Sequence, residues 1–265
     1  MSNASRIASI VNATHLDSSL TGIPTFHLSE LELQRLPEFE LPNNRRLGHL
    51  IERVVAELIK ASENFCLLHE NIQIVENKTT IGELDFIIQN TNTQKIIHVE
   101  LAYKFYLYDA TLSPNTFECW IGPNRRDALH EKIEKLQQKQ FPLLYHKATQ
   151  AKLPTLDVAS ITQKLCILTY LFVPYNKTVQ LNVDYQKAIK GYYVDFQTFC
   201  DIHEDENTYF IPVKKDWGIH PSAQETWLNF NETQKELKRQ LQHKHTPLCW
   251  KKNQRSYEQF FVTWW

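Results

Sequence analysis

Two carboxylates stand in contexts that suit a hard metal cation. Asp85 lies in Gly82-Glu83-Leu84-Asp85-Phe86-Ile87-Ile88, and Glu100 lies in Ile96-Ile97-His98-Val99-Glu100-Leu101. Both runs have the apolar and alternating character of strands. If the strands are adjacent turns of a meander, both side chains reach one end of a sheet. Mg²⁺ prefers oxygen ligands and is typically held by one or two carboxylates plus waters and a substrate phosphate. An ion held so activates water for attack at phosphorus. The plainer alternatives are an exposed strand residue for Asp85 and a core carboxylate paired to a base for Glu100.

The elements that must position this pair follow from periodicity. Leu47, Leu50, Ile51, Val54, Val55, Leu58 and Ile59 recur at helical spacing, which predicts an amphipathic helix near 46–62 with Asn43 or Asn44 as its cap and Glu52 at the edge of the apolar stripe. Strands are expected at 65–75, 82–89 and 95–106, separated by turn-rich stretches. After a short extended piece at 117–121, Gly122-Pro123-Asn124 breaks the chain, and a charged helix is expected at 125–140. The apolar run at 164–172 reads as a fourth, buried strand. Further strands are expected near 191–196 and 209–213, then a long helix over 222–243.

Helix, three-strand meander, helix, strand is the core order of the PD-(D/E)XK nuclease superfamily. The two carboxylate segments resemble its "GEIDLI … VFVEVK" signature over about 20 residues, and the element order extends the resemblance over 47–172. The chain is also similar to an uncharacterised bacterial domain family assigned to that superfamily, the 120–135 segment included. The resemblance implies an α/β restriction-endonuclease-like core with C-terminal strand and helix additions, and phosphodiester hydrolysis assisted by Mg or Mn. It implies Asp85 and Glu100 as metal ligands and Glu52 as a third ligand or an orienter of a metal-bound water, against which stands an ordinary solvated helix residue. The family lysine expected two residues after Glu100 is replaced by Ala102. Lys104 projects to the same face as Glu100 but lies about 6.6 Å beyond position 102. Lys132, on the next helix, is the other candidate for a relocated lysine.

Contacts to nucleic acid, with DNA the expected substrate, must be local, because the formal net charge is only −1 and the chain as a whole carries no strongly basic footprint. Lys238, Arg239, Lys251 and Lys252 lie in a basic stretch over 235–255 that either tracks a phosphate backbone or is a solvated helix face. Arg125 and Arg126, at a predicted helix start, are placed to bind a phosphate. Phe260, Phe261, Trp264 and Trp265 crowd the C-terminus. They are expected to dock on the domain or form a homo-oligomeric contact, with base stacking a lesser alternative.

Five widely separated cysteines with no CxxC spacing argue against a disulfide framework and a thiolate zinc site. His243 and His245 alternate without a third ligand, weak grounds for zinc. No apolar run approaches the roughly 20 residues of a membrane span, and no secretory leader is recognisable, so a cytoplasmic location is the default. Residues 2–4 resemble a cloning remnant. The expected organisation is an irregular lead-in over 1–45 with short helical pieces at 29–36, a nuclease-like core over 46–175, and a C-terminal elaboration over 176–265 carrying a basic helix and an aromatic tail. Two other functions remain open, a catalytically degenerate nucleic-acid-binding module and a protein-interaction scaffold.

Overall fold

The computed structural model describes residues 2–42, 45–254 and 256–265. It is a mixed α/β protein with mostly antiparallel strand pairing. Helix α1 spans Leu47–Lys60 and buries Leu50, Ile51, Val54, Val55, Leu58 and Ile59 of the predicted stripe, with Leu47 half-buried at its start. Burying a side chain of that size contributes about 1.5–3 kcal/mol, which explains why this helix is legible from spacing alone. Its N-cap is Arg46; Asn43 and Asn44 lie outside the described residues. Strands β1 (Phe65–Glu76), β2 (Thr79–Asn90) and β3 (Ile96–Tyr108) follow as the expected meander.

The helix expected at 125–140 starts later, and its helical run continues through a π turn to Leu143. Gly122 and Asp127 close a turn through Gly122 N–H to Asp127 O, 2.7 Å. Arg125 sits within the turn at φ 54°, so Arg125 and Arg126 do not start a helix. Helix α2 begins at Leu129 and ends at Lys135, then widens into a π-helical turn at Leu136–Gln140. Strand β4 covers Thr162–Pro174.

Beyond it come β5 (Ile189–Asp195), β6 (Thr208–Phe210), α3 (Phe230–Gln242), β7 (Leu248–Lys252) and β8 (Tyr257–Thr263). The helix expected over 222–243 starts late because Asn229 and Glu232 form a reciprocal capping box, an N-x-x-E signal present in the sequence. The basic stretch is not one helix, since Lys251 and Lys252 lie on β7. The C-terminal aromatics are not a free tail, since Phe260 and Phe261 are buried on β8 between β5 and β7.

The chain divides into two compact units that differ from the expected division. One comprises 10–103 and 131–168, the other 1–9, 104–130 and 169–265. Strands β3 and β4 contribute residues to both. In the first unit the order is β1-β2-β3-β4, with a core of Ile74, Leu84, Ile87, Leu143, Leu144, Leu153, Val158 and Ile161. The lead-in belongs here as packed chain: Phe26 is fully buried, and Leu16 and Phe26 donate backbone N–H groups to β4. In the second unit β5 pairs in parallel with both β4 and β8, and β7 and β6 follow antiparallel. Its core gathers Val194, Phe199, Tyr209, Leu237, Cys249, Phe260 and Val262. A helix begins at Asn3, so residues 3 and 4 have a structural place. Among the described residues no helix is long and apolar enough to cross a membrane.

Candidate functional site

The β2–β3 ladder pairs Gln89 with Ile96, Ile88 with Ile97, Ile87 with His98 and Phe86 with Val99, then stops. Continuing that register would set Asp85 opposite Glu100. At that point a side chain replaces the backbone partner, and Leu101 N–H donates to Asp85 Oδ2 at 2.7 Å. The strands thus part at the two carboxylates. Asp85 is only partly exposed, and its carboxyl is held well above the ordinary aspartate range. Burial is the main cause, then the charge of Glu100; the Leu101 hydrogen bond pulls the other way, Glu52 adds to the rise and Lys132 opposes it. Glu100, Glu52 and Lys132 are therefore each close enough to Asp85 for their charges to act on its carboxyl.

Glu100 is 1% exposed and held from two directions. Gln163 Nε2 donates to Phe141 O at 2.8 Å, which an amide oxygen could not do, so the amide orientation is set. The same nitrogen lies 3.0 Å from His98 Nδ1. Nδ1 must therefore accept, and the ring proton on Nε2 faces Glu100 Oε1 at 2.9 Å. On the other side Gln140, in the π-helical turn, donates to Glu83 O at 3.2 Å and to Glu100 Oε2 at 3.4 Å. Single π turns recur at functional sites because the extra residue re-aims a side chain. The turn approaches β2 closely at Gly82, where a Cβ would lie 2.6 Å from Leu143 Cδ2 and 3.5 Å from Gln140 Oε1.

This arrangement can accept a divalent cation on two carboxylates. Asp85 and Glu100 supply hard oxygens, and the raised Asp85 carboxyl registers an excess of negative charge in a desolvated spot. His98 and Gln140 orient Glu100 as outer partners do for metal ligands. Among the described residues no three His, Cys, Asp or Glu side chains are gathered to hold an ion. The remaining ligands of an ion here would come from water, substrate or backbone carbonyls. Glu52 Oε2 is 3.1 Å from His49 Nδ1 on α1. Lys104 is committed elsewhere, its Nζ donating to Asp127 Oδ2 at 2.7 Å.

A domain-family model described as "Domain of unknown function (DUF1853)" matches residues 14–260. The chain belongs to this family. No curated protein and no solved structure matches it.

In this DUF1853 member the six cationic residues singled out in the sequence are dispersed. Arg125 Nη1 donates to Asp109 Oδ2 at 3.1 Å, and its guanidinium lies 4.5 Å over the Trp265 ring. Lys251 Nζ is 2.9 Å from Glu258 across the β7–β8 hairpin. Lys252 lies over the rings of Trp227 and Tyr257, and Lys238 over Phe196. Arg126 and Arg239, far apart in sequence, share one cavity. His98 stands two residues before Glu100 in the sequence, and Gln140 and Gln163 carry no chemical signature of their own. No sequence signal identifies either glutamine.

Proposed function

We propose that this chain is a metal-dependent phosphodiesterase acting on nucleic acid, with DNA the expected substrate, on a PD-(D/E)XK-like core. The observation that carries the reading is the desolvated Asp85–Glu100 pair where β2 and β3 part, with the Asp85 carboxyl raised by burial and by its neighbour. Asp85 and Glu100 would hold Mg²⁺ or Mn²⁺, which would supply a lowered pKa for a bound water and neutralise charge at phosphorus. His98 and Gln140 fix the orientation of Glu100. Lys132, which stands within electrostatic reach of Asp85, assists the developing negative charge. Glu52 is the auxiliary carboxylate. Lys104 is assigned no part in turnover, because Asp127 already occupies its ammonium.

Ala102 at the family lysine position favours a second reading, a nucleic-acid-binding module without turnover. One set of measurements separates them. Cleavage of linear, nicked, branched and single-stranded substrates is followed with Mn²⁺ or Mg²⁺, and Mn²⁺ binding is measured by calorimetry. The nuclease reading expects slow cleavage that disappears in Asp85→Asn and Glu100→Gln together with metal affinity, while circular dichroism stays unchanged. Lys132→Ala should lower turnover by roughly 10²-fold, as for loss of one group stabilising transition-state charge, with metal binding intact, and Lys104→Ala should do neither. No cleavage of any substrate with either ion, while the substrates still bind the protein, favours the binding module instead. Cleavage that persists in the doubly neutralised variant rejects the site.

A further inference from the structure

The second compact unit contains a cavity of about 550 Å³, within the range of small-molecule sites. One wall is a face of α3: Glu236, Arg239, Gln240 and His243 follow the i, i+3, i+4, i+7 spacing that aligns side chains on a helix. Arg126, from the turn before α2, and Lys214 face the same space, as does His245 just past the helix. Ile211, Pro212 and Trp217 supply an apolar side.

Three features point to a phosphate-bearing ligand. The wall carries three obligate cations, Arg126, Lys214 and Arg239, against one carboxylate, Glu236. Arg239 uses Nε and one Nη2 hydrogen on Glu236, at 2.9 and 2.6 Å, which leaves its Nη1 donors for something else. The negative end of α3 contributes roughly half a charge against an anion, too little to cancel a surplus of two. Thr246 forms part of the wall at 2% exposure, and among the described residues its hydroxyl has no hydrogen-bond partner, although its backbone N–H is held by Asn124 Oδ1 at 2.8 Å. A buried hydroxyl is seldom left without a partner.

We propose that this cavity binds a phosphomonoester of mononucleotide size. The dianionic phosphate sits among Arg126, Arg239 and Lys214 and accepts from Thr246 Oγ1, and the rest of the ligand lies against the Trp217 side. Forked guanidinium donors match phosphate oxygens in pairs, and a surplus of two positive charges matches a monoester better than the single charge of a diester. The source is either a free nucleotide or the phosphorylated end of a strand.

Calorimetry on the full chain in EDTA tests this independently of the carboxylate site. The ligands are adenosine monophosphate, adenosine, inorganic phosphate, and a short single-stranded oligonucleotide with and without a 5′-phosphate. Saturable binding of the monophosphate, with none for adenosine, is expected. Arg126→Ala should weaken it by about tenfold or more, as for loss of a charged hydrogen bond. Thr246→Val should weaken it and Thr246→Ser should not. Asp85→Asn should bind as the wild type does, so failure here and failure of the nuclease reading are distinguishable. Binding of the phosphorylated oligonucleotide alone assigns the source to strand ends and supports the phosphomonoester. The proposal is overturned if no phosphomonoester binds beyond the millimolar range, if inorganic phosphate alone binds, if adenosine binds as well as its monophosphate, or if Arg126→Ala and Lys214→Ala leave affinity unchanged.

Discussion

The two compact units handle charge in opposite ways. In one, Asp85 and Glu100 are drawn into a desolvated fork between β2 and β3, with Glu52 adding to the negative field and Lys132 opposing it. In the other, Arg126, Lys214 and Arg239 line an open cavity with Glu236 as the counter-charge. The first arrangement is costly without a cation, because desolvation penalises the very charges that bring it together. The second is tolerated without a ligand, because its cations remain exposed to water. A buried like-charge pair therefore points more strongly to function than an exposed cationic cavity, and the cavity needs its buried, unpartnered Thr246 hydroxyl to carry an argument.

The largest expected effect separates how rigidly each unit is built. Gly191 on β5 lies against β8, where a Cβ would come within 1.9 Å of the Gln259 backbone oxygen. Backbone of a central pairing cannot yield, so Gly191→Ala should cost more than about 3 kcal/mol, above the usual range for overpacking. In Gly82→Ala the new methyl meets the flexible end of Leu143, and about 1–3 kcal/mol is expected. Urea denaturation of both variants checks this. Equal losses would mean that Leu143 beside Gly82 is held as rigidly as the β5–β8 pairing.

How much of this was legible depends on how local each feature is. The helix at Leu47–Lys60 and the meander were readable because burial imposes its period within each segment. The placement of Asp85 near Glu100 was readable because adjacent antiparallel strands bring together residues close in sequence. Gln163 reaches His98 from β4, and Gln140 reaches Glu100 from the π turn; such pairings depend on tertiary packing that no local period encodes. The β7–β8 hairpin was hidden by Lys251 and Lys252, whose charges suggested a continued solvated helix. In the strand Lys251 pairs with Glu258 and Lys252 stacks over aromatic rings, so both sit comfortably in a sheet. The Arg126–Arg239 cavity draws on residues from Asn124 to Pro247 and has no sequence signature.

A middle-sized effect tests the support of Glu100. Gln163→Leu removes the donor to His98 Nδ1 and Phe141 O, and His98→Phe removes the donor to Glu100 Oε1. His98→Phe should cost about 1.5–3 kcal/mol, the range for a hydrogen bond to a charged group, and Gln163→Leu less. If the metal site is as proposed, Mn²⁺ affinity should fall in both, more in His98→Phe. Unchanged affinity in both variants would mean that Glu100 is positioned by the strand alone.

The smallest effect carries the most information about the acidic fork, because its sign is unusual. Asp85 is held above its ordinary range chiefly by burial and then by Glu100. A carboxyl whose folded pKa exceeds its unfolded pKa binds protons more tightly in the folded state, so folding stability falls as pH rises from the unfolded value toward the folded one. Below both values the carboxyl is neutral in either state and contributes no such penalty. Asp85→Asn removes the charge while its amide oxygen can still accept from Leu101 N–H. In EDTA the variant should therefore match the wild type in acid and become more stable as pH rises toward neutrality, by on the order of 1 kcal/mol, a common size for a single substitution. Mn²⁺ should reverse the order, since an ion at a hundredfold excess over its Kd stabilises the wild type by about 2.7 kcal/mol and has lost a ligand in the variant. Urea melts across that pH range, with and without Mn²⁺, measure both signs. A variant less stable than the wild type at neutral pH in EDTA would show that the Asp85 charge is satisfied by its surroundings, and the case for a cation between Asp85 and Glu100 would go with it.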